Sequence, residues 1–164
     1  MGHIGVISDT HGLLRPHSLA ALRGSASIIH AGDIGSLAML EALAEIAPVF
    51  AVRGNTDRGA WANKLPARAI VQFEQHSVYV LHDLGELDLD PASAGFHAVV
   101  CGHSHRPKIE LRNGVIYFNP GSAGPRRFDL PVSVGRLMAS DGTLQADIID
   151  LGPRLQKGSV GKGA

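Results

Sequence analysis

Residues of the types that bind metal ions stand directly after short apolar runs in this chain. The first are Asp9 and His11, which follow the apolar run of residues 4–7, interpreted as a buried strand over residues 3–8. If strand geometry persists, both side chains leave the same face, because residues two apart point the same way. A carboxylate beside an imidazole is half of a divalent metal site.

The same pattern returns at later predicted strand ends and supplies donors for two metal ions. The further candidates are Asp33, Asn55, Asp57, His82, His103 and His105. Two ions about 3.5–4 Å apart that share a bridging carboxylate can clamp both the attacking and the leaving oxygen of a phosphoryl transfer. Mixed nitrogen and oxygen ligation suits Mn, Fe, Zn, Co or Ni and excludes none of them.

Hydrophobic periodicity predicts the elements that position these residues. The first part of the chain has a β-loop-α rhythm typical of a parallel sheet with helices packed on it, and the part from residue 67 is mainly β. Strands are predicted over 3–8, 27–30, 49–52, 69–74, 77–81, 98–101, 108–112, 115–118, 132–138 and 143–151, and helices over 18–23 and 37–47, the second capped by Ser36. Ligands gather at the carboxyl ends of strands in open α/β sheets, where the polar residues fall here.

Taken in order, Asp-x-His, Gly-Asp, Gly-Asn-x-Asp, a lone strand-end His and Gly-His-x-His resemble the calcineurin-like metallophosphoesterases. The segments Ser8-Asp9-Thr10-His11-Gly12, Gly102-His103-Ser104-His105 and Asn119-Pro120-Gly121-Ser122 are similar to those of its small bacterial and archaeal phosphodiesterase group, and the resemblance covers about residues 3–150. It implies an α/β (α+β-like) fold, in which two mixed β-sheets pack as a sandwich flanked by helices.

The resemblance also implies a ligand set and an activity. Asp9, His11 and His105 would hold the first ion, Asn55, His82 and His103 the second, and Asp33 would bridge them. The expected activity is metal-dependent phosphodiester hydrolysis of small phosphate esters, by in-line attack of a metal-bridging hydroxide, with manganese the ion expected to support an assay. Asp33 and Asn55 would be catalytic, and the amide of Asn55 would also contact a phosphoryl oxygen.

Two other functions stay open. One is a phosphomonoesterase or nucleotidase on the same site, and the other is a non-catalytic protein-binding module, as in the retromer subunit of this fold. The full set of ligand residues favours an enzyme. In the resemblance, Thr56 replaces the His that protonates the leaving group in larger relatives, so esters with good leaving groups are expected to react best. Asp83 stands where relatives usually carry Gly, and it would either change the nearby backbone geometry or add an acceptor behind the ligands.

Several residues have plainer interpretations. His3, His17 and His76 are expected on the surface, and His30 is expected to support a ligand rather than to be one. Cys101, the single cysteine, lies in an apolar strand and is interpreted as core. The loop residues Trp61 and Leu65 allow either a homo-oligomer contact or a local cap.

Arg126, with Arg127, could reach a substrate phosphate or form a solvated pair. The 164 residues fit one domain over 1–151, with a tail over 152–164 that is expected to be disordered. Fifteen basic residues balance fifteen acidic ones, which argues against nucleic acid as a partner. No apolar run reaches the roughly 18 residues of a membrane span, so no membrane partner and a cytoplasmic location are expected.

Overall fold

The computed structural model describes residues 2–152, so most of the tail predicted over 152–164 lies outside the described residues. In chain order the elements are β1 (His3–Ile7), α1 (Pro16–Leu22), β2 (Ser27–His30), α2 (Leu37–Ala44), β3 (Val49–Ala51), α3 (Ala60–Asn63), β4 (Arg68–Phe73), β5 (His76–Leu81), a 3₁₀ turn (Leu84–Glu86), β6 (Ala98–Val100), β7 (Lys108–Arg112), β8 (Val115–Asn119), β9 (Ser133–Ser140) and β10 (Thr143–Asp150). None of the helices in this part of the chain has the length and apolar character needed to cross a membrane.

The strands form two five-stranded mixed sheets. The first has the order β10-β9-β1-β2-β3, in which β1, β2 and β3 are parallel and β9 is antiparallel to both of its neighbours. The second has the order β4-β5-β6-β8-β7, in which β5, β6 and β8 are parallel and both edge strands are antiparallel. The predicted fold class of two packed mixed sheets with few helices is confirmed.

Apolar side chains fill three layers. The largest layer lies between the sheets and includes Ile4, Val6, Val80, Val100, Phe118 and Leu137. Helices α1 and α2 cover the outer face of the first sheet through Leu22 and Leu43. The connection over residues 84–96 covers part of the outer face of the second sheet. Because the central strands are buried on both faces, they are nearly continuous apolar runs in the sequence.

The local differences from the predictions have physical causes. His76 is buried rather than on the surface, because it begins β5 beside the β9–β10 turn, where its Nε2 lies 3.2 Å from the Gly142 carbonyl oxygen. Ser36 precedes α2 in extended conformation, but its side chain makes no capping hydrogen bond. Helix α2 ends at Ala44 rather than at residue 47, and α3, which contains Trp61, was not predicted.

Truncation of a core side chain tests the layer between the sheets. We expect Leu137→Ala to lower the free energy of unfolding by about 2–5 kcal/mol, because Leu137 is fully buried and a cavity would remain. The matched control is Leu111→Ala, at a leucine that is 70% exposed, with an expected change within about 0.5 kcal/mol. Urea denaturation measures both, and equal losses would contradict the described packing.

Candidate metal centre

The loops that follow β1, β2, β3, β5 and β6 meet at one end of the two sheets. The amides of Asp9 and His11 donate to the carbonyl oxygens of Gly32 and Asp33, both at 2.9 Å, and so join the first two loops. The Asp57 carboxylate accepts from the amides of Ile34 and Gly54, each at 2.9 Å, and joins the second loop to the third. Asp57, which the sequence placed among the candidate donors, therefore ties these loops together.

This convergence brings together the seven residues predicted as metal ligands. His105 Nε2 lies 3.3 Å and His11 Nε2 3.7 Å from Asp9 Oδ1. His82 Nε2 lies 3.3 Å from Asp33 Oδ2. Asp9, His11 and His105 form one group that could hold an ion, and Asp9, Asp33 and His82 form a second.

Asn55 and His103 lie at the rim of the second group. Asn55 Oδ1 is 3.3 Å from His103 Nδ1, and the His103 ring is 5.2 Å from the His82 ring, centroid to centroid. Both rim residues are exposed, whereas Asp9, Asp33, His82 and His105 are buried. The candidate centre therefore opens to solvent on the side of Asn55 and His103.

Each carboxylate has one oxygen held by the protein and one that faces the histidines. Asp9 Oδ2 accepts from the Ser8 hydroxyl at 2.6 Å and from the His103 amide at 3.0 Å. Asp33 Oδ1 accepts from the Thr56 amide at 3.0 Å. The other oxygen of Asp33 lies 3.6 Å from His11 Nε2 and 3.3 Å from His82 Nε2, so it faces both groups. Asp9 Oδ1 also faces both, at 3.7 Å and 4.0 Å from the same two nitrogens.

Buried atoms without hydrogen-bond partners show that these residues fit a cation. Residues 2–152 contain eight buried side-chain nitrogen or oxygen atoms with no partner, and four belong to the predicted ligands. Among these four are Asp9 Oδ1, His11 Nε2 and His82 Nε2, and the two nitrogens lie 3.7 Å and 4.0 Å from Asp9 Oδ1, too far for a hydrogen bond. Such atoms are costly unless a ligand satisfies them, and oxygen and imidazole nitrogen are the donors that divalent transition metals bind.

Two histidines have ring orientations set by backbone partners. His82 Nδ1 lies 2.7 Å from the Ala31 carbonyl oxygen and so carries the proton, which leaves the lone pair of Nε2 directed at the site. His30 Nδ1 accepts from the Gly32 amide at 3.1 Å, so its Nε2 donates to the Thr10 hydroxyl at 3.0 Å. His30 therefore supports the loops and is not part of either group.

The two carboxyl groups are ionised in this setting. Burial alone would raise the pKa of Asp33, but the neighbouring His82 and the Thr56 amide outweigh it and hold the pKa well below its usual range. Burial would also raise the pKa of Asp9, but the contacts with His105 and Ser8 outweigh this effect, so the pKa of Asp9 is lowered too. For His82, burial is outweighed by Asp33 and Asp9, and its pKa is raised. Two negative charges thus face the histidine nitrogens.

The backbone at the ligands is left-handed, which corrects one basis of the prediction. Strand geometry does not persist from β1 to His11, and residues 103–105 are not an extended segment. Instead φ is positive at five predicted ligands: Asp9 (56°), His11 (47°), Asp33 (56°), His103 (72°) and His105 (64°). Asp and His are among the few residue types that are enriched in this conformation. The sharp turns place these side chains at the end of the two sheets where the loops meet.

The sequence did not reveal which residues support the loops. Asn119 donates to the Gly102 carbonyl oxygen at 2.9 Å, and the Ser122 hydroxyl donates to the Asp9 carbonyl oxygen at 3.0 Å. A Cβ on Gly102 would come within 2.6 Å of Asp9 Oδ2, and a Cβ on Gly54 would overlap the backbone of Asp33. The Asn-Pro-Gly-Ser and Gly-His motifs were the available signals in the sequence.

Arg126, which was predicted to contact a substrate phosphate, is exposed. Two cavities lie beside the candidate centre, and Arg126 lines neither of them.

Known proteins resemble this chain in sequence and in fold. The calcineurin-like phosphoesterase superfamily domain matches residues 3–142. A probable metallophosphoesterase of Methanothermobacter thermautotrophicus is 34% identical, and the alignment covers 91% of this chain and 92% of that protein. Two solved structures share the fold alone: a novel archaeal phosphodiesterase (TM-score 0.76, 21% identity, 90% and 99% of the two chains) and Vps29 of Chaetomium thermophilum (TM-score 0.74, 18% identity, 93% and 100%).

The fold and the clustered Asp and His residues define a hydrolase of the metallophosphoesterase type. The chain belongs to the calcineurin-like phosphoesterase superfamily. Within that superfamily it belongs to the small archaeal and bacterial metallophosphoesterases. The resemblance inferred from the motifs is confirmed.

Loss of the Asp33 charge tests the candidate centre. We expect Asp33→Asn to weaken Mn²⁺ binding by more than about 10-fold, because a neutral amide replaces the carboxylate that faces both groups, and to leave the circular dichroism spectrum unchanged. Titration calorimetry measures the affinity, and Asp147→Asn, at an exposed aspartate of β10, is the matched control. Unchanged Mn²⁺ binding by Asp33→Asn would contradict this centre.

The buried His30 predicts a pH dependence of stability. Complete burial lowers the pKa of His30 from 6.5 to about 4. Below about pH 6.5 His30 is therefore protonated in the unfolded chain but stays neutral in the folded chain. As the pH falls from 6.5 toward 4, this difference lowers the free energy of unfolding by up to about 1.4 kcal/mol per pH unit. We expect the loss between pH 7 and pH 5 to be about 2 kcal/mol smaller in His30→Gln than in the parent chain. Urea unfolding at the two pH values checks this, and equal losses would refute the assignment.

Proposed function

We propose that this chain is a phosphodiesterase that hydrolyses small phosphate esters with two divalent metal ions, by in-line attack of water on phosphorus. The observation that carries the diester preference is a pair of cavities beside the candidate centre that share the lining residue Asp83. A diester has two organic arms, one on each side of the phosphorus, whereas a monoester has one.

Asp83 lines both cavities. The first, named here the Tyr117 cavity, has a volume of about 310 Å³ and is lined by Asp83, Leu84, His103, Arg106, Arg112 and Tyr117 among others. The second, named the Arg68 cavity, has a volume of about 220 Å³ and is lined by Arg53, Asn55, Arg68, His82 and Asp83 among others. Because Asn55 and His103 are in contact, a phosphoryl group at this pair would have one cavity on each side.

The chain's own residues supply binding and orientation. Asp9, His11 and His105 would hold one ion, Asn55, His82 and His103 the other, and Asp33 is oriented toward both by the Thr56 amide. The ions, when bound, would neutralise phosphoryl charge and lower the pKa of a bound water to about 7. Asn55 would use its oxygen as a ligand, and its NH₂ group would donate to a phosphoryl oxygen at the open side of the centre.

In the buried half of the site, hydrogen bonds leave one oxygen of Asp9 available to an ion. Asp9 is fully buried, and Ser8 and the His103 amide hold its Oδ2, so only Oδ1 is available to an ion. Oδ2 of Asp83 lies 3.8 Å from Nε2 of His103, whereas the other ring nitrogen of His103, Nδ1, faces Asn55. A carboxylate placed behind a ligand histidine favours one ring orientation.

A metal-supplemented assay tests the function. We expect Mn²⁺-loaded protein to hydrolyse bis-p-nitrophenyl phosphate with a higher kcat/KM than p-nitrophenyl phosphate, because two arms are bound rather than one. A chelator should abolish turnover, and added Mn²⁺ should restore it.

The same assay separates the alternatives. A higher kcat/KM for the monoester would replace this proposal by a phosphomonoesterase. No turnover of either ester with Mn, Fe, Zn, Co or Ni would favour a binding module of the same fold. Turnover that is indifferent to chelator would contradict metal catalysis.

A further inference from the structure

We propose that the Tyr117 cavity binds one arm of the substrate and selects an arm that is planar and negatively charged. This specificity rests on the proposed function, because the phosphoryl group must lie beside His103 for an ester arm to reach the cavity. The substrate class is then a phosphodiester that carries an aromatic ring with an additional anionic group.

The cavity exists because the cover of the second sheet is incomplete. Leu84, Leu87, Leu89 and Phe96 of the connection over residues 84–96 pack on a cluster that extends from β5 and β6 to Val115 of β8. The cavity lies beside Leu84, over Tyr117 of β8 and the β7 residues Lys108, Glu110 and Arg112. Tyr117 of β8 lies opposite Glu110 of β7, and both line the cavity. His103 and Asp83 lie at the same cavity, so it is continuous with the candidate centre.

A flat stacked surface inside the cavity suits a ring. The Arg112 guanidinium lies over the Tyr117 ring, 4.5 Å from its centroid, and Glu110 holds it in place with contacts of 3.0 Å and 3.1 Å. The side chain of Arg112 is 46% exposed. A guanidinium that stacks on an aromatic ring presents its second face to a further planar group.

The charges of the cavity favour an anion. Glu110 pairs with both Lys108 and Arg112, whereas the guanidinium of Arg106 makes no ion pair or hydrogen bond within residues 2–152. Arg106 directly follows the predicted ligand His105. In the Arg68 cavity, by contrast, Arg53 donates to the Leu65 carbonyl oxygen at 2.8 Å, and Arg68 donates to Tyr79, Glu86 and Asp88. The unsatisfied cation therefore lies in the Tyr117 cavity.

Substrates that share one leaving group test the proposal. The probes are p-nitrophenyl diesters whose second arm is phenyl or 4-carboxyphenyl, assayed with Mn²⁺. We expect the parent chain to have a KM about fivefold lower for the carboxyphenyl diester, since an exposed ion pair contributes up to about 1 kcal/mol. Arg106→Gln should erase that difference in KM, and Arg23→Gln, at an exposed arginine after α1, should keep it. Equal KM values for the two diesters in the parent chain would overturn the cavity's role while hydrolysis itself stands.

A second probe needs no hydrolysis. Titration of 4-methoxybenzoate, which is planar and anionic, should shift the NMR amide signals of Arg106, Arg112 and Tyr117, and Arg106→Gln should weaken that binding about fivefold. If no diester is hydrolysed but this binding is observed, the proposed function fails and the cavity's preference stands. If the three amide signals do not move, the preference is refuted.

Discussion

Two buried, ionised carboxylates, Asp9 and Asp33, are the constraint on which this structure depends. Burying a charge is costly unless it is paired, and here both groups face the same histidine nitrogens, with Asp33 Oδ2 and Asp9 Oδ1 at 3.3 Å and 4.0 Å from His82 Nε2. Backbone and hydroxyl donors stabilise one oxygen of each and keep the groups ionised, but the inner oxygen of Asp9 has no hydrogen-bond partner among the described residues. A divalent cation would stabilise the two buried carboxylates better than a hydrogen bond, because it would neutralise both charges at once.

The parallel strands and the glycines follow from that requirement. Parallel strands end at the same edge of a sheet, so β1, β2 and β3 deliver their loops side by side, and β5 and β6 do the same from the second sheet. The loops must then touch, and Gly54 and Gly102 allow this because a Cβ on either would collide with the backbone of Asp33 or with Asp9 Oδ2. The glycine that precedes Asn55 or His103 is therefore required by the carboxylate of a different loop, not by its own neighbour.

The sequence identified the residues that cluster at the strand ends better than the way in which they meet. Asp9, His11 and the other candidates could be found because each follows an apolar strand, and strand ends are visible as local patterns. The left-handed turns that bring them together depend on contacts between loops far apart in the chain, which periodicity does not contain. The same limit explains His76, whose burial is caused by the distant β9–β10 turn, and the Tyr117 cavity, whose residues follow the ordinary alternation of an edge hairpin.

The gradient of burial across the candidate centre determines from which side a substrate can arrive. Asp9 and His105 are closed off by the loops around them, whereas Asn55 and His103, at the other end, are exposed, with His103 at 46%. Under the proposed function, a phosphate ester would therefore meet the centre at the exposed pair. His103 lines the Tyr117 cavity and Asn55 lines the Arg68 cavity, so the two exposed predicted ligands are also the residues from which the two arms of an ester would diverge. Specificity would then be set by residues of β7, β8 and the loop after β5, whereas the chemistry is set by the strand ends, and the two could vary independently.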